Sequence, residues 1–592
     1  MPQKKASTGS KKKRGGCDVS IRVGGEAGQG MKVISGLLGK TFLRQGFWVF
    51  NHQDIMSRIR GGHNYSQIRL SSSPVRGPSD EVDILVCLDK NTLELYQDKM
   101  DGVIIYDQGK WEEEPRGEKF LPVPLEDIAK EKGQDARMAN NVASGAALAV
   151  LGLSLDPLLE LLEESFGAKG ENVIKANKEC ARAGYRNAQD KFKGKKLCEK
   201  IAANQDDRRW LITGSEAVAL GAIASNIRFY SAYPMSPATA IMEYLAARQK
   251  DYGMVVEQAE DEISAVNMVI GAFFAGARSM TATSGGGLAL MVEGISLAGM
   301  TETPLVVVDC QRPAPATGLP TRTEQADLLF IAHCAHGEFP RAILAPSTAE
   351  EAFYLTNKAF YLAEKYQTPV FILGDQHLND SSWTVEPFSL ENIFRGRHSL
   401  VPEKEMGDRS PYQYKRYALT ESGVSPRILP GASQQVLYAD SDEHTEEGHI
   451  TESAEVRRQM VEKRLRKSNG LIEEISPPRV FPDTEAELYT VSWGSTRGVV
   501  EEAVRLLRNK GMNIGSIHFS EIFPMKRPAI PRGIKKEAGL IDVENNATGQ
   551  LAKLLKMETG IEIEKQILKY DGRPFLPEEL ARQIEEIKGD GK

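Results

Sequence analysis

Short β-branched, apolar runs alternate along this chain with longer stretches in which apolar side chains recur at helical spacing. That alternation predicts an α/β protein built from several open, mostly parallel sheets with flanking helices. Residues 19–23 predict a strand, 24–30 a glycine-rich turn and 32–45 a helix, with further strands at 83–88 and 102–106 and a helical run from Asn141. The first α/β domain is expected over 17–192, followed by a polar linker at 193–209. A second domain, 210–387, shows strands at 228–233, 279–283, 305–309, 342–345 and 370–374. Residues 388–482 form an irregular connecting region, dense in charge and proline, that includes a charged helix at 456–467. A third α/β domain, 483–592, opens with the β-rich run 488–496, continues with a helix at 498–510 and has another strand at 540–543. No fixed-period repeat is visible.

With 592 residues, 41% hydrophobic and 26% charged, the chain can bury several separate cores and has the composition of a globular protein. Its net charge of −7 argues against nucleic acid as the main partner. The basic start, residues 1–16 with Lys4, Lys5, Lys11, Lys12, Lys13 and Arg14, reads as a disordered solvated tail. No apolar stretch is long enough to span a bilayer and no secretory h-region follows the tail, so no membrane association and a cytoplasmic location are expected. Cys17, Cys87, Cys180, Cys198, Cys310 and Cys334 contain no CxxC or other ligand spacing, so no metal site or iron-sulfur cluster is expected in this chain. His444 and His449 lie close together and read as a polar loop.

Two crossings from strand to helix, one loop and one helix carry candidate chemistry. In Tyr233-Pro234-Met235-Ser236-Pro237 the prolines hold Ser236 between a strand and a helix expected at 240–248, where it reads as an N-cap or as a contact for a small ligand. The run Thr283-Ser284-Gly285-Gly286-Gly287 reads as a glycine turn before a helix from Leu288, permitting positive φ and close approach of a ligand, or merely connecting packed elements. Thr317 to Gln325 predicts a loop in which Arg322 either holds a substrate carboxylate or pairs with Glu324. The sharpest signal is Glu262. Helical spacing puts it on one face with Val266, Val269 and Phe273, beside an apolar stripe that also takes in Ile263, Ile270 and Phe274. A carboxylate aimed at a core must be protonated, paired or engaged with a ligand. The alternative is a first-turn acid facing the helix dipole, the role expected of Glu257, Glu260 and Asp261. In the first domain, Gly24-Gly25-Glu26-Ala27-Gly28-Gln29-Gly30 lacks the G-x-G-x-x-G register, which argues against NAD. Arg58-Ile59-Arg60-Gly61-Gly62-His63-Asn64 adds positive charge nearby, suited to a phosphate-bearing ligand, a subunit contact or plain packing.

Taken in order with Trp493-Gly494-Ser495-Thr496, Glu544-Asn545-Asn546, Thr548-Gly549-Gln550 and 569–574, these segments resemble the alpha subunit of a 2-oxoacid:ferredoxin oxidoreductase with the gamma domain fused at its N-terminus. The resemblance implies a thiamine diphosphate pyrimidine-binding fold and a transketolase C-terminal-like domain. It also implies a subunit that shares the cofactor with a beta subunit, which carries the diphosphate site, Mg²⁺ and the iron-sulfur cluster. It makes Glu262 the catalytic acid on the pyrimidine ring, with Tyr233, Pro234, Ser236, Ser284 and Gly285 as cofactor contacts and Ser236 and Arg322 as substrate contacts. Ser236 and Gly286 depart from the family pattern, where threonine and proline are common. The implied reaction converts a 2-oxoacid and CoA to acyl-CoA and CO₂ with electrons passing to ferredoxin, in an (alpha-beta)₂ assembly. 2-Oxoglutarate is the leading substrate, with pyruvate and branched-chain oxoacids open. An inactive pyrimidine-binding scaffold and an NAD-linked dehydrogenase are the rival readings.

Overall fold

The computed structural model describes residues 17–57, 62–111, 114–198, 208–400, 412–482 and 485–589. The basic tail and Arg58, Ile59, Arg60 and Gly61 of the arginine-glycine segment lie outside these residues. The chain divides into two compact units, Met1–Leu211 and Ile212–Lys592.

In the first unit six strands run in the order Phe120–Val123, Val103–Asp107, Ile84–Cys87, Asp18–Gly25, Asn64–Ser71, Trp48–Asp54. The first four are parallel, and the last two join antiparallel. The antiparallel pair gives no clean hydrophobic signal because Asn51, His52, Gln67 and Arg69 are buried along it. Arg69 is satisfied there by a two-pronged bond to Asp18, 2.8 Å on each prong. The strand Asp18–Gly25 starts one residue before and ends two residues after its apolar run, and the helix Met31–Arg44 follows Gly30, which is left-handed at φ 78°. Ile21, Val23, Phe42, Phe47 and Leu148 fill the core, each contributing about 1.5–3 kcal/mol by leaving water. Cys17 and Cys198 form a disulfide. Their separation of 181 residues leaves no local spacing from which to read it.

The second unit holds two sheets. The larger runs Glu521–Phe523, Ala342–Leu344, Pro369–Asp375, Leu305–Gln311, Ser279–Thr283, Phe229–Ala232, Val255–Gln258. All its strand pairs are parallel except the first. The smaller runs Arg479–Phe481, Ile514–Phe519, Leu488–Trp493, Gly539–Glu544, Lys565–Leu568, again parallel except for its first pair. The expected α/β class with several open, mostly parallel sheets is what the chain adopts. Between the two sheets in sequence, the charged helix is longer than its charge pattern suggests, Ala454–Glu474. Its Lys463 and Lys467 are buried against Glu302 and do not face water.

Parallel strands end at the same edge of a sheet, where α/β folds gather ligands. The segments after Ala232, Gln258, Thr283 and Gln311 therefore leave the larger sheet from one edge. Among the described residues no helix is long and apolar enough to cross a membrane.

Candidate active site

Glu262 is the first residue of the helix Glu262–Phe274. Asp261 caps this helix by accepting from the backbone N–H of Ser264 at 2.7 Å, so the dipole already has its acid. Glu257 lies in the strand Val255–Gln258 and not in the first helical turn. The face bearing Glu262 is buried through Ala265, Val266, Val269, Ile270 and Phe273, whereas Ile263, expected in the stripe, is 48% exposed. Glu262 itself is 3% exposed, and its Oε1 has no hydrogen-bond partner within the chain. A buried carboxylate oxygen without a donor is costly.

Glycine lets the next helix pass close to that oxygen. The helix Gly285–Met300 starts three residues earlier than the apolar pattern predicts, so Gly285, Gly286 and Gly287 form its first turn. None of the three has positive φ. Their use is proximity: a Cβ at Gly287 would lie 2.5 Å from Glu262 Oε1, and one at Gly285 would lie 2.6 Å from Asp327 Oδ2. Ser284 precedes this helix, fully buried, with an unpartnered Oγ.

The proline segment ends differently from expectation. The helix is Thr239–Ala246 with Ala238 at its N-cap, so Ser236 is not the cap and is exposed. Pro237 keeps Ser236 out of helical geometry, and the turn needs a further residue before the helix starts. Met235 Sδ lies 3.9 Å from Thr283 Oγ1, the side chain that Gly287 also faces. The segment with Tyr233, Pro234 and Ser236 thus borders the Glu262 cradle. Tyr233 is 41% exposed. Arg312, just past its strand, donates to Ser236 O at 2.8 Å.

Arg322 is buried, on a loop packed against Gly572, where a Cβ would come within 3.2 Å of the arginine Cβ. Burial, then the charge of Asp327, pushes Glu324 up to about 7. The loop is held through Gln325, a residue that sequence reading did not single out. Gln325 Nε2 donates to Trp493 O at 2.9 Å, and its Oε1 accepts from Asn545 N at 3.1 Å. Asn546 Nδ2 donates to Gln325 O at 2.9 Å, while Glu544 accepts from Trp493 Nε1 at 2.9 Å and Asn546 Nδ2 at 2.7 Å. Gln550 extends the clamp by donating to Ala326 O at 2.6 Å and accepting from Leu329 N at 2.9 Å.

Residues 220–463 match the family described as pyruvate flavodoxin/ferredoxin oxidoreductase, thiamine diphosphate-binding, and residues 20–187 match pyruvate ferredoxin/flavodoxin oxidoreductase. The chain is 32% identical to the 2-oxoacid:ferredoxin oxidoreductase subunit alpha of Sulfolobus sp, over 96% of this chain and 97% of that protein. It belongs to the 2-oxoacid:ferredoxin oxidoreductase alpha subunits. A solved 2-oxoglutarate:ferredoxin oxidoreductase from Magnetococcus marinus, with 2-oxoglutarate, coenzyme A and succinyl-CoA bound, shares 33% identity and a TM-score of 0.87 over 96% of this chain and 99% of its own. The 2-oxoglutarate synthase subunit KorA of Methanothermobacter thermautotrophicus is 31% identical over 63% of this chain and 98% of that subunit.

In this oxidoreductase alpha subunit the segments Trp493 to Thr496 and Glu544 to Gln550 therefore have a physical task, because they hold the loop that carries Arg322. The first unit has a cavity of its own, about 1380 Å³, lined by Arg22, Lys99 and Lys119 together with Asp83, Asp101 and Glu118. The Glu262 cradle differs in kind, because it combines an unpartnered buried acid with a glycine helix turn that approaches it closely. His444 is buried in a bridge to Ile450, and among the described residues no group of three His, Cys, Asp or Glu is placed to hold a metal ion.

Proposed function

We propose that this alpha subunit converts 2-oxoglutarate and CoA to succinyl-CoA and CO₂ and passes two electrons to ferredoxin, with Glu262 as the acid that faces a shared thiamine diphosphate. The observation that carries this reading is Glu262 Oε1, buried without a donor and cradled by Gly287. The site fits the cofactor because a ring nitrogen is the kind of partner that a buried carboxyl oxygen needs. Bound thiamine diphosphate supplies the electron sink that decarboxylation of a 2-oxoacid requires. Glu262 holds or releases a proton at that nitrogen, and its apolar neighbours keep water from competing. Tyr233, Pro234, Ser236, Ser284 and Gly285 wall the cofactor space, and Ser236 also offers its hydroxyl to the substrate.

Arg322 is assigned to a substrate carboxylate. Arg312, half-buried beside Ser236, supplies the second cation that a dicarboxylic substrate requires. The relatives named for 2-oxoglutarate support this choice. We assign the diphosphate site, Mg²⁺ and the iron-sulfur cluster to a beta subunit in an (alpha-beta)₂ complex in the cytoplasm. The four free cysteines are all buried and dispersed, which supports a cluster held elsewhere. Val255, Ile263, Met268 and Leu290, on the elements around Glu262 and Gly287, are 41–55% exposed and form a surface suited to a partner.

Co-expression with a partner bearing cluster cysteines, followed by CoA-dependent viologen reduction with a panel of 2-oxoacids, tests the reading. The highest kcat/KM is expected with 2-oxoglutarate. A preference for pyruvate would overturn the substrate assignment, and a complex that neither binds thiamine diphosphate nor turns over any 2-oxoacid would overturn the whole.

A further inference from the structure

Behind the glycine turn lies a second acidic feature to which the mechanism above gives no role. Asp309, on the strand Leu305–Gln311, is fully buried, and neither of its carboxyl oxygens receives a protein donor. Asp327, 8% exposed, precedes the helix Leu328–His333, and its Oδ2 is likewise without a donor. The backbone of Asp327 is fixed by its N–H donating to Gln311 Oε1 at 3.0 Å. Gln311, two residues along the strand from Asp309, thus brings the Asp327 carboxyl group to face that of Asp309. Two carboxylates facing each other in buried surroundings stay together only with a proton between them.

We propose that Asp309 and Asp327 form a one-proton carboxylic pair that positions the 284–287 turn against Glu262. The proposal rests on the assignment of that turn to the cofactor site. Gly285 lies directly over Asp327, with room for no side-chain atom between them, since a Cβ there would sit 2.6 Å from Oδ2. The pair is thus the floor on which the first helical turn rests. Burial, then the facing Asp327, lifts Asp309 well above the carboxylate range, while burial pushes Asp327 up to about 6. The two carboxyl groups then share one proton, held between Asp309 and Asp327. Loss of that proton would set two negative charges side by side under Gly285 and drive the turn away.

The charged and titratable groups around the pair are few. Arg312 opposes the rise at Asp309, and Glu324 lies near Asp327. The buried thiols of Cys310 and Cys334 complete the surroundings, with Arg341 bonded to Cys334. Asp375 and Asp380 act on Cys310 from the neighbouring segment.

The test compares Asp309→Asn, which keeps a donor in the same place, with Asp309→Leu, which removes it, both in the assembled complex with the partner subunit. The leucine variant is expected to lose at least tenfold in kcat, and the asparagine variant to stay within threefold of the wild type and to lose any alkaline fall in the pH profile. The infrared difference spectrum of wild type minus Asp309→Asn at neutral pH is expected to show one protonated carboxylic acid. The acid form of Asp542, which burial and the adjacent Glu544 push up to about 10, is common to both and cancels. Absence of that acid band would overturn the proposal whatever the activities, including where the leucine variant fails to assemble. Equal loss, or equal retention, of activity in the two variants would overturn the positioning role. Full activity in Glu262→Gln would instead sink the assignment of the cofactor site and leave the acid band in place.

Discussion

Glu262 and Glu302 are equally buried glutamates of the same unit, yet their surroundings are opposite. Glu302 receives Lys463 at 2.6 and 2.8 Å, also bonds to Lys467, and has Arg416 donating to its backbone carbonyl at 2.8 Å. Glu262 keeps one oxygen with no donor at all. Burial alone would raise Glu302, but Lys467, Lys463 and Arg416 together hold it well below the usual carboxylate range. A satisfied buried acid is a structural joint, here tying the helix Ala454–Glu474 to the domain that carries the site. An unsatisfied one keeps an acceptor for a group that the neighbouring residues do not supply, which is the role proposed for Glu262. The difference lies in the neighbours, because both residues are glutamates in or beside apolar helices.

Replacing each glutamate with glutamine should separate the two roles. Glu262→Gln is expected to lower kcat in the complex by on the order of 10³-fold, about 4 kcal/mol. Its melting temperature should stay near the wild type, because no protein bond to Oε1 is lost. A comparable fall in stability would mean that Glu262 is a joint like Glu302. Glu302→Gln is expected to lose about 3 kcal/mol of unfolding free energy, since it strands buried cations, with kcat little changed in whatever complex assembles. The folded pKa of Glu302 lies below its unfolded value, so its stabilisation is fully present above about pH 4.5 and disappears as pH falls below that. Denaturant unfolding of wild type and Glu302→Gln should therefore converge in acid. Curves that stay parallel would show that the ion cluster contributes nothing.

Gly287→Ala sharpens the same comparison from the other side. The added methyl would crowd Glu262 and Thr283 and should cost about 2 kcal/mol. It should appear mainly as weaker thiamine diphosphate binding and lower kcat; an alanine variant with wild-type cofactor affinity would show that the cradle is not occupied. The smallest effect is expected at Gln325→Ala, about 1 kcal/mol from the lost bonds to Trp493 and Asn545. If Arg322 binds substrate, this variant should raise KM for the 2-oxoacid more than it lowers kcat.

Much of this architecture was legible from residue order. The strands read at 279–283 and 305–309, and the run opening at Leu488, show as mostly β-branched and apolar because nearly all of their positions are buried on both faces. The pair Trp48–Asp54 and Asn64–Ser71 did not, since buried Asn51, His52, Gln67 and Arg69 interrupt its apolar pattern. Glu262 stood out because a charge at an apolar helical position is a local conflict. Ser236 was misread as a helix cap because two prolines look like a helix start, whereas the helix begins after Ala238. Nothing local marked Gln325, Asp309 or Glu302, whose partners in the fold lie far away in sequence.

Periodicity, proline and glycine act through near neighbours, so the order of residues alone determined the α/β class, the strand-to-helix crossings and the acid on an apolar face. Which crossings share an edge, which buried acids find donors and which glycines leave room beside them depend on segments brought together from hundreds of positions apart. Burial strengthens or penalises a charge according to those distant partners, and only the tertiary structure decides who they are.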